Sequence, residues 1–356
     1  MQWDAAVVAA PLAAVRHQQG RLLGRMESVG FDLREEAVLQ TLTRDVVGTS
    51  AIEGETLDVQ QVRSSLARRL GLDVGAVAPA DRNVEGIVEV MLDATRDYVR
   101  PLHAARLFDW HTALFPTGRS ILRRIEVGRW RDDAAGPMRV ISGPFGRERV
   151  HYVAPPADRV AGEMQRLLAW VEAPSLDPVL VAAQAHLWFV TIHPFDDGNG
   201  RIARAMADLA LARSEQSAHR FYSMSAQIRA ERAAYYEVLE RTQKGDGDIT
   251  GWVLWFLACL GRAIGGAQET LAAVLRKAAC WKAWAAISLN PRQVKVLNRL
   301  LNDFEGKLSS SKWAKLTGCS QDTAARDIAD LVAMGILRKG DGGGRSTHYV
   351  LVDPAP

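Results

Sequence analysis

The sequence predicts a mainly α protein: a helical core with one small β-hairpin, followed by an α+β tail domain. Three observations predict it. Apolar residues recur at three- and four-residue spacing through most of the first 290 positions. Strand-like alternation around a Gly-Pro turn stands out there at 138–153. Within 291–356 the pattern becomes helix, helix, helix, hairpin.

The elements follow in order. Residues 1–30 read as a short extended start leading into a helix. The stretch 32–47 has helical spacing at Leu33, Ala37, Val38, Leu42 and Val46, with Glu35 and Glu36 suited to a first turn. This helix runs on through T49-S-A-I-E-G54, where Gly54 can end it. A further helix covers 57–70, and a Gly/Ala/Pro loop leads to about Arg82. A long periodic helix is expected from Asn83 to Ala113, broken near Pro101. The stretch 121–131 precedes a looser Gly- and Pro-rich segment. The hairpin 138–153 turns on G-P-F-G and stops at Pro155-Pro156, and a helix then runs through Trp170. Residues 177–190 are apolar on nearly every side and read as the buried central helix. Helices are expected over 199–213, 222–240 and 248–260, the last capped by Asp248 or Thr250. An Ala-rich helix spans about 264–287. S288-L-N-P-R292 is a natural boundary, with Asn290 as cap and Pro291 at the first helical position. Beyond it come helices at 292–300, 308–316 and 321–334, then a hairpin over 335–351 with a Gly-rich tip. That is the winged-helix order of elements.

Bulk properties limit the function classes. The chain has 356 residues, 48% hydrophobic and 24% charged, an ordinary globular composition with room for two or three domains. A net charge of +3 is too small to make the whole chain a nucleic-acid binder by electrostatics. Cys259, Cys280 and Cys319 are far apart, so neither a zinc site nor a disulfide framework is indicated. The most apolar run, 252–260, is short beside the ~20 residues of a membrane span. The reading is therefore a cytoplasmic protein without membrane attachment.

The chemistry concentrates in H193-P-F-D-D-G-N-G-R-I-A-R204. Gly198 and Gly200 bracket Asn199 just before a helix. Glycines let backbone N–H groups converge on an anion, and the helix start adds unpaired N–H groups and a positive dipole end. Asn199 can donate its amide to the same anion. Arg201 and Arg204, three apart on one helical face, suggest more than one phosphate. Asp197, beside that phosphate site, is best explained by Mg²⁺; Asp196 reads as solvent-facing. His193 is fixed by Pro194 and by Phe195, a core anchor, and can accept a proton at neutral pH. No Ser or Cys nucleophile lies in the motif, which favours direct attack by an incoming hydroxyl on a bound nucleotide. His186, upstream, reads as structural.

This segment resembles the Fic family ("filamentation induced by cAMP"), whose signature HPFx[D/E]GNGRxxR matches 193–204 at every defined position. The hairpin 138–153, the A-H-L-W-F-V approach, Tyr235-Tyr236 and I249-T-G-W252 look like the same domain, placing a Fic-like core at about 85–265. A helical region would precede it at 1–84; a helical linker, 266–290, and a winged-helix domain, 291–356, would follow. The resemblance implies an adenylyltransferase. It would move AMP from ATP to a Ser, Thr or Tyr hydroxyl of a target protein and release pyrophosphate. His193 would be the base and Asp197 would hold Mg²⁺ (or Mn²⁺). Gly198, Asn199 and Gly200 would cradle phosphates, with Arg201 near the β-phosphate and Arg204 on the γ-phosphate. The hairpin (the family's flap) would dock the target by strand addition along Val140, Ile141 and Ser142. T49-S-A-I-E-G54 resembles the family's inhibitory motif, [S/T]xxxE[G/N]. Glu53 would pair with Arg204 and misplace ATP, as in the class with an N-terminal inhibitory helix. The same glutamate admits the reverse activity, hydrolytic removal of AMP.

The tail carries ten Lys and Arg against seven Asp and Glu. Gln321, Thr323 and Arg326 start the third helix, where base edges would be read. Lys312, Lys315, Arg338, Lys339, Arg345 and His348 could touch phosphate. Asp322, Asp327 and Asp330 count against DNA. Duplex DNA and a protein partner both stay open for 291–356, as does a homodimer, and a nucleotide-sensing transcription regulator is the alternative class.

Overall fold

The structure, a computed structural model, describes residues 1–27, 30–72, 79–120, 123–134, 136–143, 146–301, 304, 306–340 and 347–352. Parts of four sequence-predicted features lie outside these residues: the loop before Arg82, the start of 121–131, Pro144-Phe145 of the hairpin turn, and the wing tip with Arg345. The chain divides into two compact units, Met1–Glu269 and Thr270–Pro356.

The first unit is mainly helical. Helix α1, Ala5–Glu27, starts earlier than expected: Asp4 Oδ1 accepts from the N–H groups of Ala6 and Val7, so the segment after Trp3 is helix rather than strand. Helix α2, Phe31–Ile52, ends at Gly54, whose φ of 86° suits glycine. Helix α3, Val59–Leu70, is capped by Asp58 and closed by left-handed Gly71. The long periodic stretch becomes α4, Arg82–Arg96, and α5, Ala104–Leu114, with Pro101 in the break. Buried Arg106 ties that break together, reaching Asp93 Oδ2 at 2.7 Å and the Arg100 carbonyl at 2.6 Å.

Two short strands, β1 (Arg119–Ser120) and β2 (Arg123–Arg124), were not legible as a hairpin. The expected hairpin is β3 (Arg139–Ser142) against β4 (Arg149–Val153), antiparallel, with a register shift between Val140 and Ile141. Helix α6, Ala157–Glu172, follows.

The central pair is α7, Pro178–Ile192, and α8, Asn199–Glu215, which pack along each other and are joined by loop 193–198. Both are buried almost all round, as the apolar run at 177–190 predicted.

Two expectations are corrected here. Residues 222–240 form two helices, α9 (Met224–Ala230) and α10 (Arg232–Gln243), broken at Glu231. Ser223 caps α9, and the Glu231 carboxylate is drawn to Arg262 at 2.6 and 2.5 Å, which turns the chain. The two helices expected at 248–260 and 264–287 are one, α11, Thr250–Ala283. Gly261, Gly265 and Gly266 do not interrupt it, because its apolar face is buried on both sides of them. Asp248 caps it, as expected. Its segment Thr250–Gln268 has the length and composition to cross a membrane, longer than the apolar run suggested. Half of that segment is buried, including Trp252, Phe256 and Leu260.

In the second unit Asn290 caps α12, Pro291–Leu301, accepting from Arg292 and Gln293 at 3.0 Å, with Pro291 as the first helical residue. Helices α13 (Ser310–Thr317) and α14 (Gln321–Ala333) and the hairpin β5 (Leu337–Lys339) with β6 (Tyr349–Leu351) complete the expected element order. Trp313, Val296, Leu297, Ile328 and Leu331 fill its core. Asp327 does not face outward: it is buried and bidentate with Arg292 at 2.8 and 2.9 Å.

Glycine at 86 sets the spacing of α4 and α5. A Cβ there would lie 1.8 Å from the Ala113 carbonyl oxygen, a backbone atom that cannot swing away. Gly86→Ala should cost about 2–3 kcal/mol, read as a lower urea midpoint at unchanged slope.

Candidate active site

Loop 193–198 takes its shape from contacts on every side. His193 ends α7 in a left-handed conformation, φ 52°, uncommon for a residue with a side chain. Its N–H still bonds the Phe189 carbonyl at 2.9 Å. Buried Arg131 fixes the backbone that follows: its Nε donates to the His193 carbonyl at 2.7 Å, and its N–H to the Pro194 carbonyl at 2.9 Å. The same guanidinium reaches the Pro155 carbonyl at 2.6 Å and Asp133 at 2.8 Å, so loop and hairpin base share one anchor. Phe195 is fully buried, as expected, and stacks on His111 at 4.1 Å.

Burial pushes His193 below its ordinary pKa of 6.5, so the imidazole is neutral at neutral pH. Its Nδ1 lies 3.3 Å from the Val190 carbonyl and donates to it, leaving Nε2 as the proton acceptor. His111 is lowered to about 4, also by burial. Its Nδ1 accepts from Gly128 N–H at 3.3 Å, so Nε2 donates to the Asp197 carbonyl at 3.2 Å. His186 is buried, lowered to about 3 by that burial, and bonded to the Tyr235 hydroxyl at 2.9 Å; it takes no part in the site.

Asn199 departs from its expected role. Its Oδ1 accepts from Phe195 N–H at 3.0 Å and its Nδ2 donates to the Phe195 carbonyl at 2.8 Å. Both ends of the amide are used inside the loop, so Asn199 holds the cradle's shape rather than an anion. Asp196 is half-buried and accepts from Glu126 N–H at 3.1 Å, rather than facing solvent. Gly198 (φ 78°) caps α8 without a side-chain partner, and a Cβ on it would press into the Phe115 ring.

The two arginines are already met by carboxylates. Arg204 is buried; its Nη2 lies 2.7 Å from Glu53 Oε1 and 3.0 Å from the Thr49 carbonyl, and its Nε donates to Thr49 Oγ1 at 2.7 Å. Burial, the largest influence, would lower the Arg204 pKa; the Glu53 charge and hydrogen bond together with Tyr235 and Tyr236 outweigh it, and the net shift is upward. Arg201 is held by Glu55 at 3.0 and 3.2 Å and lies over the Phe115 ring. Glu53 Oε1 also sits where a Cβ on Gly200 would project, 2.2 Å away, so its carboxylate covers the start of α8. Arg204 Nη1 and Arg201 Nε are buried without a partner. These spare donors, beside a helix start without a side-chain cap, fit a polyphosphate.

Asp197 accepts from Gly198 N–H at 2.6 Å through Oδ1 and from the Ser120 hydroxyl through Oδ2. An oxygen-only donor set suits a hard divalent cation sharing ligands with phosphate. No cluster of three or more His, Cys, Asp or Glu ligands exists among the described residues, so phosphate and water would have to supply the rest.

Residues 94–211 match the model of the Fic/DOC family, and residues 1–72 match a domain of unknown function, DUF4172. The stretch 94–211, signature loop included, is similar to the Fic/DOC family. The chain is 26% identical over 238 residues to the protein adenylyltransferase Fic of Drosophila mojavensis and 27% identical to that of Drosophila persimilis. Each match covers 65% of this chain and 41% of the relative, so the chain spans about two fifths of the curated relatives it matches. Among solved structures, a Fic family protein from Desulfovibrio desulfuricans matches with a TM-score of 0.54 at 22% identity, covering 99% of this chain and 98% of that one. A Fic-domain-containing signaling protein from Bacteroides thetaiotaomicron matches with a TM-score of 0.54 at 18% identity, covering 73% and 98%. These structures share the fold.

The residues framing loop 193–198 and its arginines from elsewhere — Arg131, His111, Ser120 and Glu55 — were not singled out by sequence reading. Glu55 alone had a signal, two positions after Glu53 in a segment already marked. Arg131→Ala should loosen the loop and leave Asp133 Oδ1 and the His193 and Pro155 carbonyls unmatched. A loss of about 3 kcal/mol in thermal or urea unfolding is expected, with weaker nucleotide binding in the folded fraction.

Proposed function

We propose that this chain is a protein adenylyltransferase held inhibited by its own α2 segment. The observation that carries this reading is the Glu53–Arg204 pair. One carboxylate occupies the guanidinium and covers the helix start where a triphosphate would be held. A phosphate chain entering there meets a like charge and an arginine already taken.

With Glu53 withdrawn, Arg204 is free for the γ-phosphate, Arg201 for the β-phosphate region, and the N–H groups at 198–200 for the chain between. The target strand lies along β3, whose Ile141 and Ser142 are exposed. His193 Nε2 takes the proton of the target hydroxyl as its oxygen attacks the α-phosphorus; pyrophosphate leaves. Asp197 would hold Mg²⁺, which when bound neutralises phosphate charge.

Incubation with ATP labelled at the α-phosphate, Mg²⁺ and lysate tests this. Glu53→Gly protein should label proteins strongly and wild type weakly. The Glu53→Gly/His193→Ala protein should fall by about 100-fold or more. Absence of label throughout, with ATP bound, would turn the reading toward removal of AMP, where Glu53 would orient water.

Glu55 adds a second carboxylate to the inhibitory segment. Glu55→Gln should free Arg201 and tighten ATP binding about fivefold by calorimetry, a modest effect because Glu55 is partly exposed. Unchanged affinity would reduce Glu55 to a surface contact.

A further inference from the structure

A second polar contact joins α2 to α8, one helical turn from the Glu53–Arg204 pair. Asp45, Thr49 and Glu53 stand four apart along α2 and so share one face. Arg204 and Asp208 stand four apart along α8. Thr49 and Glu53 meet Arg204. Asp45 meets Asp208, close enough for a hydrogen bond between the two side chains. Both aspartates are buried. The helices around them are tightly seated: a Cβ on Gly48 of α2 would lie 2.9 Å from the backbone nitrogen of Ala226 on α9.

Each aspartate has one oxygen committed elsewhere. Asp45 Oδ1 accepts from the Ser223 hydroxyl at 2.6 Å and from Ser225 N–H at 3.0 Å. Asp208 Oδ1 accepts from Arg220 Nη2 at 2.7 Å. The other two oxygens, Asp45 Oδ2 and Asp208 Oδ2, are buried and receive no donor. Two carboxylates cannot bond each other, but a carboxyl and a carboxylate can. One retained proton supplies the missing bond.

The surrounding charges call for that proton. Glu215, at the end of α8, is a third buried carboxyl group; Gln19 of α1 donates to its Oε1 at 3.0 Å, as does the Tyr222 hydroxyl. Arg204 is already matched by Glu53, and Arg16 of α1 is partly exposed. Buried Arg220 is left to serve Asp208, Glu215 and Asp45 together. Burial, then the charge of Asp45, pushes the Asp208 carboxyl well above the usual carboxylate range in spite of Arg220. Burial pushes Glu215 upward as well.

We propose that α2 is latched to α8 by a proton shared between Asp45 and Asp208, and that loss of this proton releases Glu53 from Arg204. This rests on the reading of α2 as an inhibitor of nucleotide binding. Without the proton, two buried negative charges face each other; movement of α2 away from α8 lets water reach both. The Asp208 pKa is raised with α2 in place and returns toward its ordinary 3.8 once the group is solvated. The latch is therefore fully present below the ordinary value and is lost as pH rises through the raised one. Its loss frees Arg204 one turn away, so the nucleotide site opens as pH rises.

Calorimetric titration of the full-length protein with ATP and Mg²⁺, from about pH 6 to about pH 9, tests this. Glu53→Gly protein lacks the inhibitory carboxylate and reports the pH dependence of ATP binding itself. Wild type should bind more weakly than Glu53→Gly at the acid end. That deficit should shrink with rising pH, by up to about tenfold per unit, the limit for one proton. Asp208→Asn carries the bonding hydrogen permanently, so its deficit should persist at every pH. Asp45→Asn makes the same prediction independently, and the comparison of wild type with Glu53→Gly needs neither variant to fold. A wild-type deficit that does not change with pH would overturn this proposal and leave inhibition by α2 standing. A deficit that shrinks equally in both Asn variants would overturn the assignment to this pair. Equal affinity of wild type and Glu53→Gly at every pH would overturn the latch and the inhibition together.

Discussion

A guanidinium buried at the start of a buried helix needs a negative partner, and much of this molecule is arranged around that need. Arg204 projects from the first turns of α8, where the helix dipole is already positive and no side chain caps the free N–H groups. Leaving that charge unmatched would cost several kcal/mol. Glu53 and the two oxygens of Thr49 meet it from the end of α2. The features that make the place attractive to a polyphosphate make it attractive to a carboxylate. The proposed competition between an internal anion and a nucleotide would follow from the electrostatics of one helix start.

The loop before that helix is a packed object. Asn199 spends its amide on Phe195, His111 supports the Asp197 carbonyl, and Arg131 grips the His193 and Pro194 carbonyls. These contacts hold a non-glycine residue at φ 52° and fix which nitrogen of His193 accepts a proton. An imidazole held this firmly would need little reorganisation to act as the proposed base. Arg131 also binds the end of the hairpin at Pro155, so the hairpin and the His193 loop share a frame.

Most helices were legible because an amphipathic stripe and a cap are local features. Asp58, Asp177, Asp248 and Asn290 each cap within a few residues of themselves. The errors fell where a distant partner decided. Nothing near Glu231 marks a break, since its carboxylate answers to Arg262, 31 positions on. The glycines of α11 looked like an end, but burial of the flanking apolar face carries the helix through them. Asp327, counted against DNA contact from the sequence, is instead buried and tied to Arg292, 35 positions back.

The sequence by itself determined where the proposed chemistry would lie: a histidine, a glycine-bracketed helix start and two arginines within twelve consecutive positions, plus a motif proposed to oppose them. Local order suffices because a helix start and its preceding turn are made by neighbours in the chain. The tertiary structure decided how those groups are used at rest. It brought Glu53 to Arg204 across 151 positions and Glu55 to Arg201 across 146, and turned Asn199 inward. It also set Asp45 against Asp208. Such pairings depend on how helices pack, and that packing is set by the shared burial of many side chains rather than by any one segment.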